Sequence, residues 1–576
     1  MAAPQSRDSD PGSNASVGNN ASVWVDGLTI GQTLRRTAEL YGDQDAYVFH
    51  ELNVRSSWEQ LDLAADRIAK GLLALGFRPG DHFGIWATNI PEWVILQFAT
   101  ARIGVVLVTI NPAYRPSELS YTLKQADIKG IAVIDRFRSD DFLAMMYEVC
   151  PQLSHAVDGI VACEQFPILQ RVIQLRGETS PGMLSWDDLS TAADGFSDDT
   201  LRAISQSLAI HDPINIQYTS GTTGRPKGAT LSHRNLLMNG YYSGTCQWLT
   251  HEDRICLPVP LYHCFGCVLG VLCSVVHGTA MIFPSEGFNP RSSLSAIEAE
   301  RATSLYGVPT MFIAQLESRD FARRDISALR TGIMAGSSCP VELMNRVIND
   351  MGATDITIGY GQTEASPLIT QTRPDDSIEL RVGTVGRTHP GFEAKIIDPT
   401  TGEELGDNQQ GEFCGRGHGI MLGYYNMPDK TAETIDEDGW LHTGDLAERL
   451  PNGYFRITGR LTDMIIRAGE NIYPREIEER LFQHPDVEDV QIVGIPDRRM
   501  GEQVLAWIKL RIEATATEIE LRNFCRETLA HFKVPRFWKF VDTFPTTVTG
   551  KIQKYRIRSI AIAEMGLKNT TEPTNQ

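Results

Sequence analysis

From about residue 30 to residue 460 the apolar positions switch repeatedly between helical and strand spacing, and this alternation most narrows the fold. Leu61, Ala65, Ile68, Leu72 and Leu75 recur at helical spacing, and Gly76 supplies a stop. Residues 82–87 then read as a strand and 91–104 as a second helix. Further units follow: helix 117–125 with strand 130–134, and helix 292–301 with strand 303–306. Such alternation predicts an α/β class, with parallel sheets covered by helices and ligand loops beyond the carboxyl ends of the strands.

Near 447–460 the character changes to short strands, among them 453–458. The segment after Arg460 has the size of a small domain. It opens with a helix at 474–484 and a strand at 487–495, followed by a strand at 504–510 and a helix at 516–530. A chain of 576 residues exceeds what one core supports. We expect a disordered tail (1–24), a large N-terminal domain (25–461), a smaller mobile α+β domain (462–565) and a short tail (566–576).

Residues 214–218 read as a strand feeding the loop Tyr218-Thr-Ser-Gly-Thr-Thr-Gly-Arg-Pro-Lys-Gly228. Its glycines and the hydroxyls of Thr219, Ser220, Thr222 and Thr223 turn N–H and O–H donors toward one point, and Lys227 adds a cation. That chemistry grips a polyphosphate. A Walker A loop has Ser or Thr after its lysine, whereas Gly228 follows here, so this is another kind of phosphate loop. The plainer alternative is a solvated hydroxyl-rich turn. A formal charge of −19 argues against a general nucleic-acid binder, so a polyanion such as ATP must be held by local donors.

Ten cysteines in a chain this long show no secreted disulfide framework. Cys264-Phe-Gly-Cys267 has redox or metal spacing without a second pair, so buried apolar residues are expected there. No charged residue occurs between Arg254 and Glu286, but glycines and His277 interrupt the apolar run. We expect no transmembrane segment. A buried helix near 264–276, a turn at His277-Gly278-Thr279 and a buried strand at 280–283 fit better. The first 20 residues are rich in Ser, Asn, Asp and Gly, with Asp8 and Asp10 against a mitochondrial presequence. Cytoplasm is the default location, with peripheral membrane contact left open.

Five further segments join the loop: Ala335-Gly-Ser-Ser338, Tyr360-Gly-Gln-Thr-Glu364, Gly439-Trp-Leu-His-Thr-Gly-Asp445, Gly459-Arg460 leading into Asp463-Met-Ile-Ile-Arg-Ala-Gly-Glu-Asn471, and Gly550-Lys-Ile-Gln-Lys554. In this order the set resembles the adenylate-forming superfamily of acyl-CoA synthetases, peptide-synthetase adenylation domains and luciferases. Within it, Asn111-Pro-Ala-Tyr114, Pro260-Leu-Tyr-His-Cys264, Gly307-Val-Pro-Thr-Met311 and Gly469-Glu-Asn-Ile-Tyr-Pro474 look most like medium-chain fatty acyl-CoA ligases, whose animal members are mitochondrial.

The resemblance implies the adenylate-forming fold and two half-reactions. A carboxylate attacks the α-phosphorus of ATP, pyrophosphate leaves, and coenzyme A sulfur then displaces AMP from the acyl-adenylate. It assigns Thr219, Ser220, Gly221, Thr222, Thr223, Gly224, Arg225, Pro226 and Lys227 to the β- and γ-phosphates. Thr363 goes to the α-phosphate, and Glu364 to Mg²⁺. Asp445 and Arg460 take the ribose. Tyr360 stacks on adenine opposite Gly336, Ser337 and Ser338. Lys551 bridges carboxylate and α-phosphate, neutralising charge as the bond forms. Ala468 and Gly469 line a passage for the pantetheine arm when the small domain turns, with Thr462 at the hinge position, where many relatives carry Asp or Lys.

Each assignment has a plainer alternative: a solvated helix-start acid for Glu364, simple pairing with a cation for Asp445, a core aromatic for Tyr360, a surface charge for Lys551. Tyr262–Gly266, 306–312, 332–334 and 359–361 (including Gly361) are the expected acyl walls. They carry no acid or base except His263, which lines the acyl entrance or is simply a buried histidine. Such walls suit an apolar chain. An aryl or short-branched acid ligase, and a catalytically silent acyl-adenylate-binding protein, are the competing readings.

Overall fold

The computed structural model describes residues 23–157, 159–219, 226–337, 339–468, 470–546 and 552–567. Ser220, Gly221, Thr222, Thr223, Gly224, Arg225, Ser338, Gly469 and Lys551 lie outside the described residues, as do 1–22 and 568–576 of the two expected tails. Val23 and Trp24, counted with the tail from sequence, pack against the first core, and the Arg36 guanidinium sits 4.8 Å from the Trp24 ring centroid. At the other end Leu567 packs on the C-terminal core.

The expected alternation is present. Helix Trp58–Ala74 starts with a capping box (Ser57 with Gln60), buries Leu61, Ala65, Ile68 and Leu72, and stops before Gly76 at φ +92°. The strand His82–Trp86 is buried throughout, as is helix Pro91–Arg102 on all faces, so that helix is a core element rather than a surface one. Arg102 at its end is buried and pairs with Asp62 and Asp66 of Trp58–Ala74.

Two large sheets result. In one, Pro213–Thr219, Val106–Thr109, His82–Trp86, Ile128–Val133 and Arg171–Gln174 run parallel, with Lys227–Ser232 and Gly423–Tyr424 added antiparallel at one edge. In the other, Asp355–Gly361, Thr331–Ala335, Ser304–Gly307, Arg254–Cys256, Ala280–Phe283 and Asp45–Phe49 are parallel, and Leu368–Gln371 returns antiparallel. A four-stranded antiparallel sheet follows: Phe392–Ile397, Gln410–Gly417, Leu441–Arg449 and Phe455–Arg460.

The smaller C-terminal domain has its own sheet, built on Val487–Asp497 and Gly501–Leu510, with helices Pro474–Phe482, Glu518–Arg526 and Lys554–Glu564. Its apolar clusters begin at Ile465 and share no residue with those before it.

The uncharged stretch differs from its expectation in one respect. It is buried and ends in the expected turn (Gly278, φ +71°) and strand Ala280–Phe283, but Phe265–Leu272 is a π-helix and only Cys273–His277 is α. Its wide turn is held from outside: Gln97 Nε2 donates to Cys267 O at 3.0 Å. Gly266 lets this segment lie on Pro260, whose carbonyl oxygen would be 2.3 Å from an added Cβ. Cys264 and Cys267 are buried, and burial raises both thiols. Among the described residues no helix is long and apolar enough to cross a membrane.

Candidate active site

The phosphate-type loop joins two antiparallel strands. Thr219 ends Pro213–Thr219, Lys227 begins Lys227–Ser232, and the two face each other across one rung. The chain thus returns as a strand, where a Walker A loop would enter a helix. Pro226 O accepts a hydrogen bond from Tyr121 Oη at 3.0 Å.

Lys227 Nζ lies 4.1 Å from the Tyr424 ring centroid, a cation–π contact. Tyr424 Oη donates to Glu364 Oε1 at 2.6 Å, and Thr219 Oγ1 donates to the same oxygen at 3.3 Å. Burial lowers the Lys227 ammonium below the usual lysine range, while the Glu364 carboxylate opposes that shift. Burial and the same carboxylate raise the Tyr424 phenol.

Glu364 sits in a single 3₁₀ turn, Thr363–Ala365, just beyond the carboxyl end of Asp355–Gly361. It is 7% exposed, which rules out the solvated-acid alternative. Thr363 is buried beside it, with Oγ1 3.8 Å from Cys264 Sγ. Through Glu364 the second sheet is bonded to two strands of the first.

Four residues earlier, Tyr360 Oη donates to Asp445 Oδ2 at 2.9 Å, and Arg460 Nε donates to Asp445 Oδ1 at 2.6 Å. Asp445 does pair with a cation, and that cation is the other expected ribose ligand. Its carboxylate raises the Arg460 guanidinium, and burial with the same charge raises the Tyr360 phenol. This second knot ties the second sheet to the third. Segment 360–364 is therefore where all three sheets meet.

Asp445 is presented by an irregularity. Glu412 pairs with Leu446 and Cys414 with His442, so Thr443, Gly444 and Asp445 stand opposite Phe413 alone. The outward bulge turns at Gly444, φ +70°. Glu412 Oε1 accepts from Gly444 N (3.0 Å), and Thr443 Oγ1 donates to Phe413 O (2.7 Å) and accepts from Asp445 N (3.1 Å).

Gly336 and Ser337 follow Thr331–Ala335 at its carboxyl end and are exposed. Gly336 has φ +88°, and an added Cβ would lie 3.1 Å from Val308. His263 is half-buried and accepts a hydrogen bond from Phe265 N at Nδ1 (3.2 Å), so neither expected role is singled out. Gly361 has a structural reason to be glycine: a Cβ there would fall 1.9 Å from Pro367 O, across the pairing with Leu368–Gln371. Ala468 is exposed at φ +55° in the turn between Ile465–Arg467 and Glu470–Ile472, and its N–H donates to Met500 O of the same domain at 2.7 Å. Around Lys551, Thr546 and Ile552 form a bridge and Lys554 Nζ pairs with Glu478 Oε1 at 2.6 Å.

Thr219, Lys227, Tyr360, Thr363, Glu364, Asp445 and Arg460 thus form one connected group. Sequence reasoning missed Tyr424, which no motif spacing marks, and the supports of Asp445 on Gln410–Gly417. His442 lay inside a quoted motif without a role.

Comparison with known proteins identifies the family. A family model described as AMP-binding enzyme matches residues 34–425, and one for the AMP-binding enzyme C-terminal domain matches 476–551. YngI of Bacillus subtilis (strain 168), whose name places it among acyl-CoA synthetases, is 49% identical over 94% of this chain and 98% of its own length. A Danio rerio protein named medium-chain acyl-CoA ligase ACSF2, mitochondrial, is 43% identical over 94% of this chain and 89% of its own. The solved anthranilate CoA ligase AuaEII, in complex with anthranoyl-AMP, superposes with TM-score 0.81 at 26% identity, covering 94% of this chain and 98% of that one. With both family models matched, the chain belongs to the AMP-binding enzyme family and carries its C-terminal domain.

Proposed function

We propose that this protein is an AMP-forming acid–thiol ligase: it activates a fatty acid, of medium chain length, with ATP and passes the acyl group from acyl-AMP to coenzyme A. The observation that carries the reading is the seam at 360–364, with a hydroxyl–carboxylate–lysine knot at one end and a carboxylate–guanidinium–phenol knot at the other. The first suits a triphosphate and the second a ribose. Joining two anions demands charge neutralisation and positioning more than proton transfer.

Lys227 faces the phosphates, with Thr219 and Thr363 as hydroxyl donors. Asp445 and Arg460 exchange part of their mutual bonding for the ribose hydroxyls, and Tyr360 bounds the adenine. The donor set around Glu364 fits Mg²⁺, since carboxylate and hydroxyl oxygens are what a hard cation takes. The Glu364 carboxylate would hold the ion, which would supply charge neutralisation at the phosphates when bound. Lys551 from the small domain completes adenylation. A turn of that domain about 461–462 brings Ala468 and Gly469 to the thioester step.

The expected acyl walls at 262–266 and 306–312, which carry no acidic or basic side chain except His263, suit a hydrocarbon tail. Relatives at 41–49% identity, seven of whose names read medium-chain acyl-CoA ligase, support the same reading. The test is CoA-dependent AMP production over straight-chain acids from butanoate to hexadecanoate, with benzoate and anthranilate alongside. A maximum at medium length is expected. AMP formed only with the aryl acids would replace the substrate, and none with any acid would replace the reaction.

A further inference from the structure

We propose that Glu412, Cys414 and His442 form a second metal site, selective for a borderline-soft divalent cation such as Zn²⁺, and that filling it weakens the hold on ATP. Glu412 and Cys414 are two residues apart on Gln410–Gly417 and so share a face. His442 is the cross-strand partner of Cys414. One ligand atom from each lies within 4.8 Å of the others: His442 Nδ1 is 3.1 Å from Glu412 Oε2 and 3.7 Å from Cys414 Sγ. Zinc bond lengths of about 2.0–2.3 Å at tetrahedral angles separate donor atoms by roughly 3.4–3.6 Å, so side-chain adjustment alone closes the site.

A second observation points the same way. His442 Nε2, turned away from the trio, is 3.5 Å from Asp436 Oδ2, and Asp436 is held by the N–H groups of Trp440 (2.8 Å) and Asp438 (3.0 Å). A carboxylate behind the far nitrogen is the usual outer support of a metal-bound imidazole. Glu412 and Cys414 are buried and His442 is 31% exposed, which leaves an approach from solvent.

The charges balance. A carboxylate, a thiolate and a neutral imidazole together cancel a dication's charge in full once the thiol proton has left to water. Without metal, burial with the Glu412 and Asp436 carboxylates pushes the Cys414 thiol up to about 12, against the opposing Lys395 ammonium. Metal enters by displacing that proton to water. Mg²⁺, which wants an octahedron of oxygens, is excluded by sulfur and nitrogen ligands. The link to ATP is Glu412: its other oxygen holds Gly444 N–H in the bulge that presents Asp445. That regulatory half rests on the ATP reading above; the binding half does not.

The test uses the full-length, metal-stripped protein. Zn²⁺ alone is titrated calorimetrically, and Co²⁺ reports a thiolate ligand by its charge-transfer absorption. One site is expected, unaffected by excess Mg²⁺, kept in Cys339→Ser and weakened more than about tenfold in Cys414→Ser and His442→Gln, with thermal melts confirming that the variants fold. Unchanged affinity in both variants, or loss in Cys339→Ser, overturns the site. Zn²⁺ should also raise the KM for ATP severalfold in the parent and not in Cys414→Ser. Binding with an unmoved KM overturns the regulatory half. Confirmed binding in a protein that forms no AMP from any acid would fault the proposed function instead.

Discussion

Replacing Asp445 with Asn separates the ribose role from structural pairing. The carboxylate is 4% exposed and accepts from Tyr360 and Arg460. Asn keeps the shape and one acceptor oxygen but loses the charge. The Arg460 side chain is 45% exposed, so the lost ion pair costs the folded protein only about 0–1 kcal/mol. Weakening the tyrosine bond from charged to neutral costs about another 1 kcal/mol. Melting should therefore shift by a few degrees at most. For bound ATP, two ribose hydroxyls lose a charged acceptor at about 1–1.5 kcal/mol each, or about 2–3 kcal/mol in all. That corresponds to a rise of roughly 30- to 150-fold in the KM for ATP. The contact is made before and during the reaction alike, so kcat and the KM for acid should move little. Pyrophosphate release against ATP concentration measures this. Repeating it with 3′-deoxy-ATP should penalise the parent far more than Asp445→Asn. An ATP KM within about threefold of the parent, or a loss confined to kcat, would refute the ribose assignment.

Other consequences are also open to measurement. Lys227, lowered by burial, should lose its charge below the ordinary lysine range, so kcat/KM for ATP falls on the alkaline side before that range is reached; Lys227→Arg should push the limb upward, and an unmoved limb would clear Lys227 of responsibility. His233 is buried, accepts from Ile30 N at Nδ1 and is held down to about 4. Its unfolded form gains a proton near pH 6.5 while the fold refuses it until about 4. Stability should therefore fall as pH drops through that window, by up to about 1.4 kcal/mol per pH unit, visible in melts at stepped pH; flat melting over the window would contradict it. Lys551→Ala should abolish acyl-AMP formation while sparing thioester formation from supplied acyl-AMP, and Gly469→Leu should do the reverse. Equal loss of both steps in either variant would end that division of labour.

Much of the architecture was legible because each level agreed with the next. Around Trp58–Ala74 the apolar period, the Ser57 cap and Gly76 all mark one helix, and the strand 280–283 was bounded by its own turn. What stayed hidden depends on contacts distant in sequence. The π turn at Phe265–Leu272 needs Gln97 from another helix to hold its carbonyl, and local pattern cannot announce that. Tyr424 gains its place only when its strand is laid beside Lys227–Ser232. The bulge before Asp445 is a register event between strands some thirty residues apart. Gly361 was legible as an expected acyl-wall residue, but its strand-pairing reason for being glycine was not, because Pro367 O meets it only in the folded sheet.

The seam at 360–364 has a further implication for timing. Its two knots hang on one short piece of chain, no more than about 13 Å from end to end at strand rise. Such a piece behaves as a two-berth mooring. On the proposed function, the berth at Lys227 and Glu364 would empty when pyrophosphate departs, while the one at Tyr360, Asp445 and Arg460 would still tether the nucleoside. The reactive mixed anhydride would thus stay docked while the small domain turns, instead of drifting off to hydrolyse.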